Sequence, residues 1–172
     1  MTEVLIVGHH GPWCEALEKS EQKIWRCNNH CPDCRVDVRV LGGGHYPSIS
    51  VKTPSDCVRV ASVTCYDETA HEQFMINVGK NGMHHLYDSK LDTVINSFPY
   101  IPLTGMVALQ LALAWGAKHV KLAGVDMYKG QEWHCVHHVK PQQEYLEKLI
   151  EAGYVSQYVG TGSPLQASPE TA

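Results

Sequence analysis

Short apolar runs that end in glycine or another turn-forming residue recur along this chain, and they restrict its fold more than any other feature. The clearest are residues 3–8, 23–28, 36–41, 58–64 and 119–124, with shorter runs at 93–96 and 155–159. Continuous apolar runs are typical of strands that are buried on both faces of a parallel sheet. The pattern therefore predicts a sheet whose central strands lie inside the protein.

Helical patterns lie between these runs. They cover residues 13–19, 67–78, 105–115 and 141–152. Thr104 is a predicted N-cap, Gly116 is a predicted C-terminal stop, and Pro141 is predicted to open the last helix. Strands that alternate with helices predict an α/β fold, here a single Rossmann-like domain with a mostly parallel sheet and helices on both faces.

Length and charge narrow the class of protein. The 172 residues suit one domain over residues 1–160, followed by a flexible tail over residues 161–172. The formal charge is −4, from 14 basic and 18 acidic residues. This balance argues against a general nucleic-acid coat or a binder of anionic membranes, because both need clustered Lys and Arg.

Targeting signals are not evident in the sequence. The first residues do not resemble a signal peptide, and the apolar stretch at residues 106–116 is too short to span a bilayer. The seven cysteines cannot all pair. We therefore expect a cytoplasmic protein with reduced thiols and no membrane span.

The predicted sheet also indicates where a ligand binds. In open α/β sheets, ligands lie outside the carboxyl ends of the strands, where glycine lets the backbone approach them. The segments at these ends are residues 8–12, 28–29, 42–45, 104–105 and 124–128.

Gly8, His10 and Gly11 belong to the first of these segments. Their spacing matches neither the dinucleotide fingerprint nor a Walker loop. A short glycine loop that leads into a helix can still receive a phosphate through its backbone N–H groups, and the alternative is a tight turn without a ligand. The Asn28 amide suits ribose hydroxyls and phosphate oxygens, or it simply forms a turn.

The strand end at Gly124 is followed by Asp126 and Tyr128, and then by a histidine-rich loop that contains His134, His137 and His138. Asp126 could hold ribose hydroxyls or orient a basic group, or it could cap a turn. Histidine exchanges a proton near neutral pH, so one of the three is a candidate general base. The alternative is that they are solvated loop residues.

The cysteines suggest a rival site. Cys27, His30, Cys31 and Cys34 form a C-x-x-H-C-x-x-C cluster that could bind structural zinc. A second C-x-x-C is absent, and no histidine pair follows Cys31 and Cys34 at the distance that a zinc finger requires, so we expect no metal.

Taken in order, the motifs resemble those of the bacterial sialyltransferases that modify lipooligosaccharide, within the sialyltransferase superfamily. The matching stretches are His10-Gly11-Pro12-Trp13, Arg26-Cys27-Asn28, Leu103-Thr104-Gly105-Met106, Gly124-Val125-Asp126-Met127-Tyr128, and the histidines before the acidic segment 144–149. The resemblance extends over residues 3–152. In the first motif, His10 and Trp13 stand where the family has Asn and Ser.

The resemblance implies a glycosyltransferase that takes a sugar from a nucleotide-activated donor, most simply a CMP-linked one, without a metal or other cofactor. The implied donor-binding residues are Gly8, His10, Gly11, Asn28, Thr104, Gly105, Gly124 and Asp126. His137 or His138 would be the general base for the acceptor hydroxyl. Tyr128 and His134 would stabilise the departing phosphate.

Two other functions stay open at this point. One is a nucleotide-binding or nucleotide-sugar hydrolase domain that transfers nothing, and the other is a zinc-stabilised interaction module. The acceptor could be a glycan, a modified nucleic-acid base or a small molecule. A domain this small could also complete its site in a symmetric homodimer, and its size suits a phage or bacterial accessory protein.

Overall fold

The computed structural model describes residues 3–8, 21–28, 35–42, 57–64, 70–125 and 136–157, with the backbone alone for residues 136–138. Several predictions fall on other residues and lie outside the described part. They are the helix over 13–19, the zinc-cluster residues His30, Cys31 and Cys34, the site residues His10, Gly11, Asp126, Tyr128 and His134, and the tail over 161–172.

Nine strands in the described part form one mixed, mostly parallel sheet. They are β1 (Glu3–Val7), β2 (Lys23–Cys27), β3 (Val38–Leu41), β4 (Val58–Ser62), β5 (Glu72–Val78), β6 (His84–Asp88), β7 (Thr93–Phe98), β8 (His119–Ala123) and β9 (Val155–Gln157). The order across the sheet is β7-β6-β5-β4-β3-β2-β1-β8-β9. Neighbours from β5 through β1 to β9 are parallel, whereas β6 is antiparallel to both β5 and β7.

The α/β class and the predicted parallel strands are confirmed, but the helix predicted over residues 67–78 is wrong. Residues 72–78 form strand β5 instead. Phe74 and Ile76 pack against the core, whereas Gln73 and Asn77 are exposed, as in a half-buried strand with a two-residue period. Glu, Gln and Met have high helix propensity, and here the tertiary pairing with β4 and β6 outweighs it. Strand β6 was not predicted.

The chain reverses its direction of travel across the sheet at β1. From β1 it moves outward to β2, β3, β4 and β5 on one side, and later adds β8 and β9 on the other side. The crevice between β1 and β8 is therefore the topological switch point, the usual ligand position in open α/β sheets.

Helix α1 (Thr104–Ala114) is largely apolar, and residues 106–112, which include the polar Gln110, are all buried. Its N-cap is Leu103, which offers no side-chain acceptor, so the prediction that Thr104 is the cap is wrong; Thr104 is the first helical residue. Gly116 has φ +109° and ends the helix as predicted. The bonds Gly116 N–H to Leu113 O and Ala117 N–H to Ala112 O complete a Schellman motif.

Helix α2 (Val136–Glu151) begins five residues before its predicted start, with Pro141 inside it. The prediction that Pro141 opens the helix is wrong. Pro141 lies inside the helix, where its missing N–H leaves the carbonyl of residue 137 without its helical donor and its ring crowds that carbonyl. His137 and His138 consequently lie on the first turn of α2 rather than in a loop.

Both described helices pack on one face of the sheet, which we call the helix face and which carries Val4, Ile6 and Trp25. The α2 residue Leu146 belongs to the same core cluster as α1. Leu5 and Val7 on the opposite face are also fully buried, as the continuous apolar run predicts. Neither described helix has the length and apolar composition needed to cross a bilayer.

Candidate ligand-binding crevice

Strands β1 and β8 end side by side, and their ends meet through glycine. The Gly8 N–H donates to Ala123 O at 2.9 Å. A Cβ on Gly8 would lie 2.5 Å from Val125 Cγ2 and 2.7 Å from the Gly124 carbonyl oxygen. Gly124 itself has φ +69°, a left-handed conformation that favours glycine. Predicted site residues Gly8 and Gly124 are thus in direct contact at the switch point.

The end of β3 contacts the start of α1 in a similar way. A Cβ on Gly42 would lie 2.5 Å from Thr104 Oγ1. The glycine therefore lets the first turn of α1 approach the carboxyl edge of the sheet. Gly105 follows in the same turn, where backbone N–H groups of the helix have no intrahelical acceptor.

Asn28, at the end of β2, is fixed by three hydrogen bonds. Its N–H donates to Val40 O at 2.8 Å, its Oδ1 accepts from the Gly42 N–H at 2.9 Å, and its carbonyl accepts from Arg39 Nη1 at 2.8 Å. These bonds hold it at φ +50°, a conformation that is uncommon for a residue other than glycine.

The bond to Gly42 also fixes the orientation of the Asn28 amide. Because a backbone N–H needs an acceptor, the side-chain oxygen faces Gly42 and the Nδ2 group faces the other way. Asn28 is half-buried and its Oδ1 is already used by Gly42. Nδ2 is therefore the side-chain group that remains to donate to a further partner.

The loop before α1 is fixed by the second helix. Gln142 is fully buried; its Oε1 accepts from the Leu103 N–H at 2.8 Å and its Nε2 donates to Ile101 O at 3.0 Å. This pair of bonds ties the first half of α2, which includes residues 137 and 138, to the start of α1. Sequence analysis did not identify Gln142, because only the three-dimensional structure brings residues 101–103 beside it.

The described part of the structure thus brings together two pairs of predicted site residues. Gly8 contacts Gly124, and Asn28 is linked to Thr104 through Gly42. Gly105 follows Thr104 on α1. His137 and His138 are placed by their backbone alone, on the first turn of α2. The remaining predicted site residues lie outside the described part, and their roles stay predictions.

Three buried arginines lie on the sheet face opposite α1, which we call the arginine face. Arg26 on β2, Arg39 on β3 and Arg59 on β4 are neighbours in register, with exposed fractions of 0%, 0% and 8%. Burial lowers the pKa of Arg39, and the charge of Arg59 lowers it further, while Cys57 and Cys27 act in the opposite direction. Sequence analysis missed this row, although each arginine stands between apolar residues of a predicted strand.

The thiols of the described part are free and buried. Burial raises the pKa of the Cys27 thiol to about 12, against a smaller opposing effect of Arg39. Cys27 belongs to the core beneath α1. No group of three or more His, Cys, Asp or Glu residues suited to a metal occurs among residues 3–8, 21–28, 35–42, 57–64, 70–125 and 136–157.

A separate polar cluster lies on the antiparallel part of the sheet. His85 Nδ1 is 2.6 Å from Ser97 Oγ across strands β6 and β7, and the imidazole packs over Gly79. Asn77 is the cross-strand neighbour of His85. The cluster has no described carboxylate to orient the histidine, so it lacks the third member of an activated serine site.

Comparisons with known proteins give no further guide to the family. No family model, no curated protein and no solved structure matches this chain.

Proposed function

We propose that the protein is a glycosyltransferase-like enzyme that transfers a sugar from a nucleotide-activated donor, most simply a CMP-linked one, to an acceptor hydroxyl. The observation that carries the proposal is the connection between Asn28, Gly42 and Thr104 at the carboxyl edge of the sheet. Parts of two motifs of the sialyltransferase resemblance, 76 residues apart in the chain, are linked there through Gly42.

The chemistry of the crevice suits a phosphate. Asn28 presents a donor, and the first turn of α1 offers backbone N–H groups at the positive end of the helix dipole. That turn has no acidic residue that would repel an anion. In the proposal, the donor phosphate lies between Asn28 and the Thr104–Gly105 turn, and the nucleoside extends toward Gly8 and Gly124, with His10, Gly11 and Asp126 completing its contacts.

The proposed reaction is a direct displacement at the anomeric carbon. The acceptor oxygen forms a bond to this carbon as the bond from the carbon to the phosphate oxygen breaks. His137 or His138 takes the acceptor proton, a contribution of about 10²–10⁴ in rate. Tyr128 and His134 stabilise the negative charge that develops on the departing nucleotide.

The proposal also includes a Rossmann-like fold with helices on both faces of the sheet. It further includes a cytoplasmic location and a homodimer that completes the acceptor side of the site. A glycan, a modified nucleic-acid base or a small molecule is the acceptor in this proposal.

Release of CMP from a CMP-linked sugar tests the reaction. We expect release that increases when a suitable acceptor hydroxyl is present and that falls about 10²-fold or more in His137→Ala, in His138→Ala or in the double variant. His85→Ala, on the antiparallel part of the sheet, is the matched histidine control and should retain full activity.

The outcomes separate the proposal from its rivals. Full activity in the double variant would remove the histidine base, and binding of CMP with hydrolysis but no transfer would favour a nucleotide-sugar hydrolase. Stoichiometric zinc in protein purified without added metal would favour the interaction module. A protein that binds neither CMP, UMP nor GMP is not a nucleotide-dependent enzyme.

A further inference from the structure

Arg39 connects the buried arginine face to the crevice. Its guanidinium donates to the Asn28 carbonyl at 2.8 Å, so a fully buried side chain of β3 reaches the residue that ends β2. Its neighbour in the row, Arg26, bonds toward the opposite edge of the sheet, because its Nε donates to the carbonyl of Arg35, which precedes β3. The bond from Arg39 therefore joins the arginine face to the carboxyl edge of the sheet.

The conformation of Asn28 needs such support. A left-handed φ of +50° is strained for a residue with a Cβ, and it persists only where surrounding bonds determine it. The Val40 carbonyl fixes the Asn28 N–H, and Arg39 fixes its carbonyl. With both backbone groups held, the side chain can place Oδ1 on Gly42 and direct Nδ2 to the crevice.

We propose that Arg39 is a positioning residue that holds Asn28 in its ligand-binding conformation and thereby raises the affinity of the crevice for the donor phosphate. The inference rests on the proposed function. Arg39 does not touch the ligand, because it is buried on the arginine face and acts through the Asn28 carbonyl. A bond from a charged donor is strong enough for its loss to change affinity about tenfold.

Hydrogen exchange of single amides tests this positioning without any ligand. The Gly42 N–H donates to Asn28 Oδ1, so Arg39→Met should speed exchange at Gly42 about tenfold relative to the Gly8 amide, which bonds to Ala123 on the same edge. Arg59→Met removes the same charge from the same face one strand further away and should leave this ratio unchanged. If Arg39→Met does not fold, Arg39→Gln carries the test.

Nucleotide binding then tests the consequence for the ligand. We expect Arg39→Met to weaken CMP binding about tenfold and cytidine binding less than about twofold, with Arg59→Met near wild type. An equal Gly42-to-Gly8 exchange ratio in both variants, or equal losses for CMP and cytidine, would overturn the inference. A wild-type protein that does not bind CMP would overturn the proposed function instead, and the exchange ratio would still decide the role of Arg39.

Discussion

Gly8 in the parallel part of this sheet and Gly79 in the antiparallel part have different kinds of neighbour. In the parallel part (β1–β4, β8 and β9), Gly8 contacts the backbone carbonyl of Gly124 and the side chain of Val125. In the antiparallel part (β5–β7), the atoms nearest to a Cβ on Gly79 would be those of the His85 imidazole, a side chain that can rotate. Gly8 therefore packs against backbone that cannot rotate away, whereas Gly79 packs against an adjustable side chain.

The two parts also differ in burial. Strands β1 to β4 are almost wholly buried, while β5 exposes residues at both ends and β7 exposes its first two. A buried edge suits the fixed positions of ligand-binding groups. The antiparallel part has no described contact with the crevice and serves to extend the core, through Phe74, Leu86 and Phe98.

The largest expected effect distinguishes the two glycine contacts. Gly8→Ala should lower the free energy of unfolding by about 3 kcal/mol, because the backbone carbonyl of Gly124 cannot move away from the new Cβ. Gly79→Ala should cost below about 1 kcal/mol, because His85 can adopt another rotamer. Urea unfolding of both variants measures the difference, and equal costs would contradict the contrast between the two glycine contacts.

The second prediction concerns the attachment of the antiparallel part to α1. Asp88 is fully buried and accepts from Trp115 Nε1 at 2.7 Å, at the end of the helix. Asp88→Ala leaves this N–H without its acceptor and should cost about 2 kcal/mol in thermal or urea unfolding. Asp92→Asn, at an exposed position, is the control. A similar loss of unfolding free energy in this variant would show that the buried bond of Asp88 contributes no more than an exposed one.

The dependence of stability on alkaline pH tests the core that the parallel and antiparallel parts share. Burial raises the pKa of the Cys27 thiol from 9.0 to about 12 and that of the Tyr100 phenol from 10.0 to about 12. Folding therefore favours the protonated forms, and their contribution is complete below about pH 9 and is lost as the pH rises toward 12. Stability measured from about pH 8 to 11 should fall less steeply in Cys27→Ala and in Tyr100→Phe; slopes equal to wild type would contradict this.

The smallest effect is expected at the polar cluster of the antiparallel part. Ser97→Ala removes the bond to His85 Nδ1 and should cost about 0.5 kcal/mol, as is usual for a half-exposed cross-strand pair. CMP binding should not change. A loss of nucleotide affinity in Ser97→Ala would show that the antiparallel part contributes to the crevice after all.

The parallel part of the sheet could be predicted from the sequence better than the antiparallel part. The parallel strands were found because burial on both faces produces continuous apolar runs, and Gly8, Asn28 and Gly124 stand where those runs end. Strand β6 was missed because His84, His85 and Asp88 hide its alternation. The helix predicted at β5 was wrong because local propensity does not register the pairing with β6.

The ends of the parallel strands were predictable from sequence, but the contacts between them were not. The strand-end rule selects Asn28 and Thr104, yet Gly42 as the link between them depends on a backbone bond and a side-chain contact. Gln142 and Arg39 were missed because they act through distant carbonyl and N–H groups. Such partners are set by packing, which no local spacing reveals.

Titration of ¹⁵N-labelled protein with CMP, followed by amide chemical shifts, shows where the nucleotide binds. We expect concentration-dependent shifts at Gly8, Asn28, Gly42 and Gly105, and none across strands β5 to β7. The absence of shifts at saturating CMP, or shifts confined to the antiparallel strands, would contradict the claim that the carboxyl edge of the parallel part binds the nucleotide.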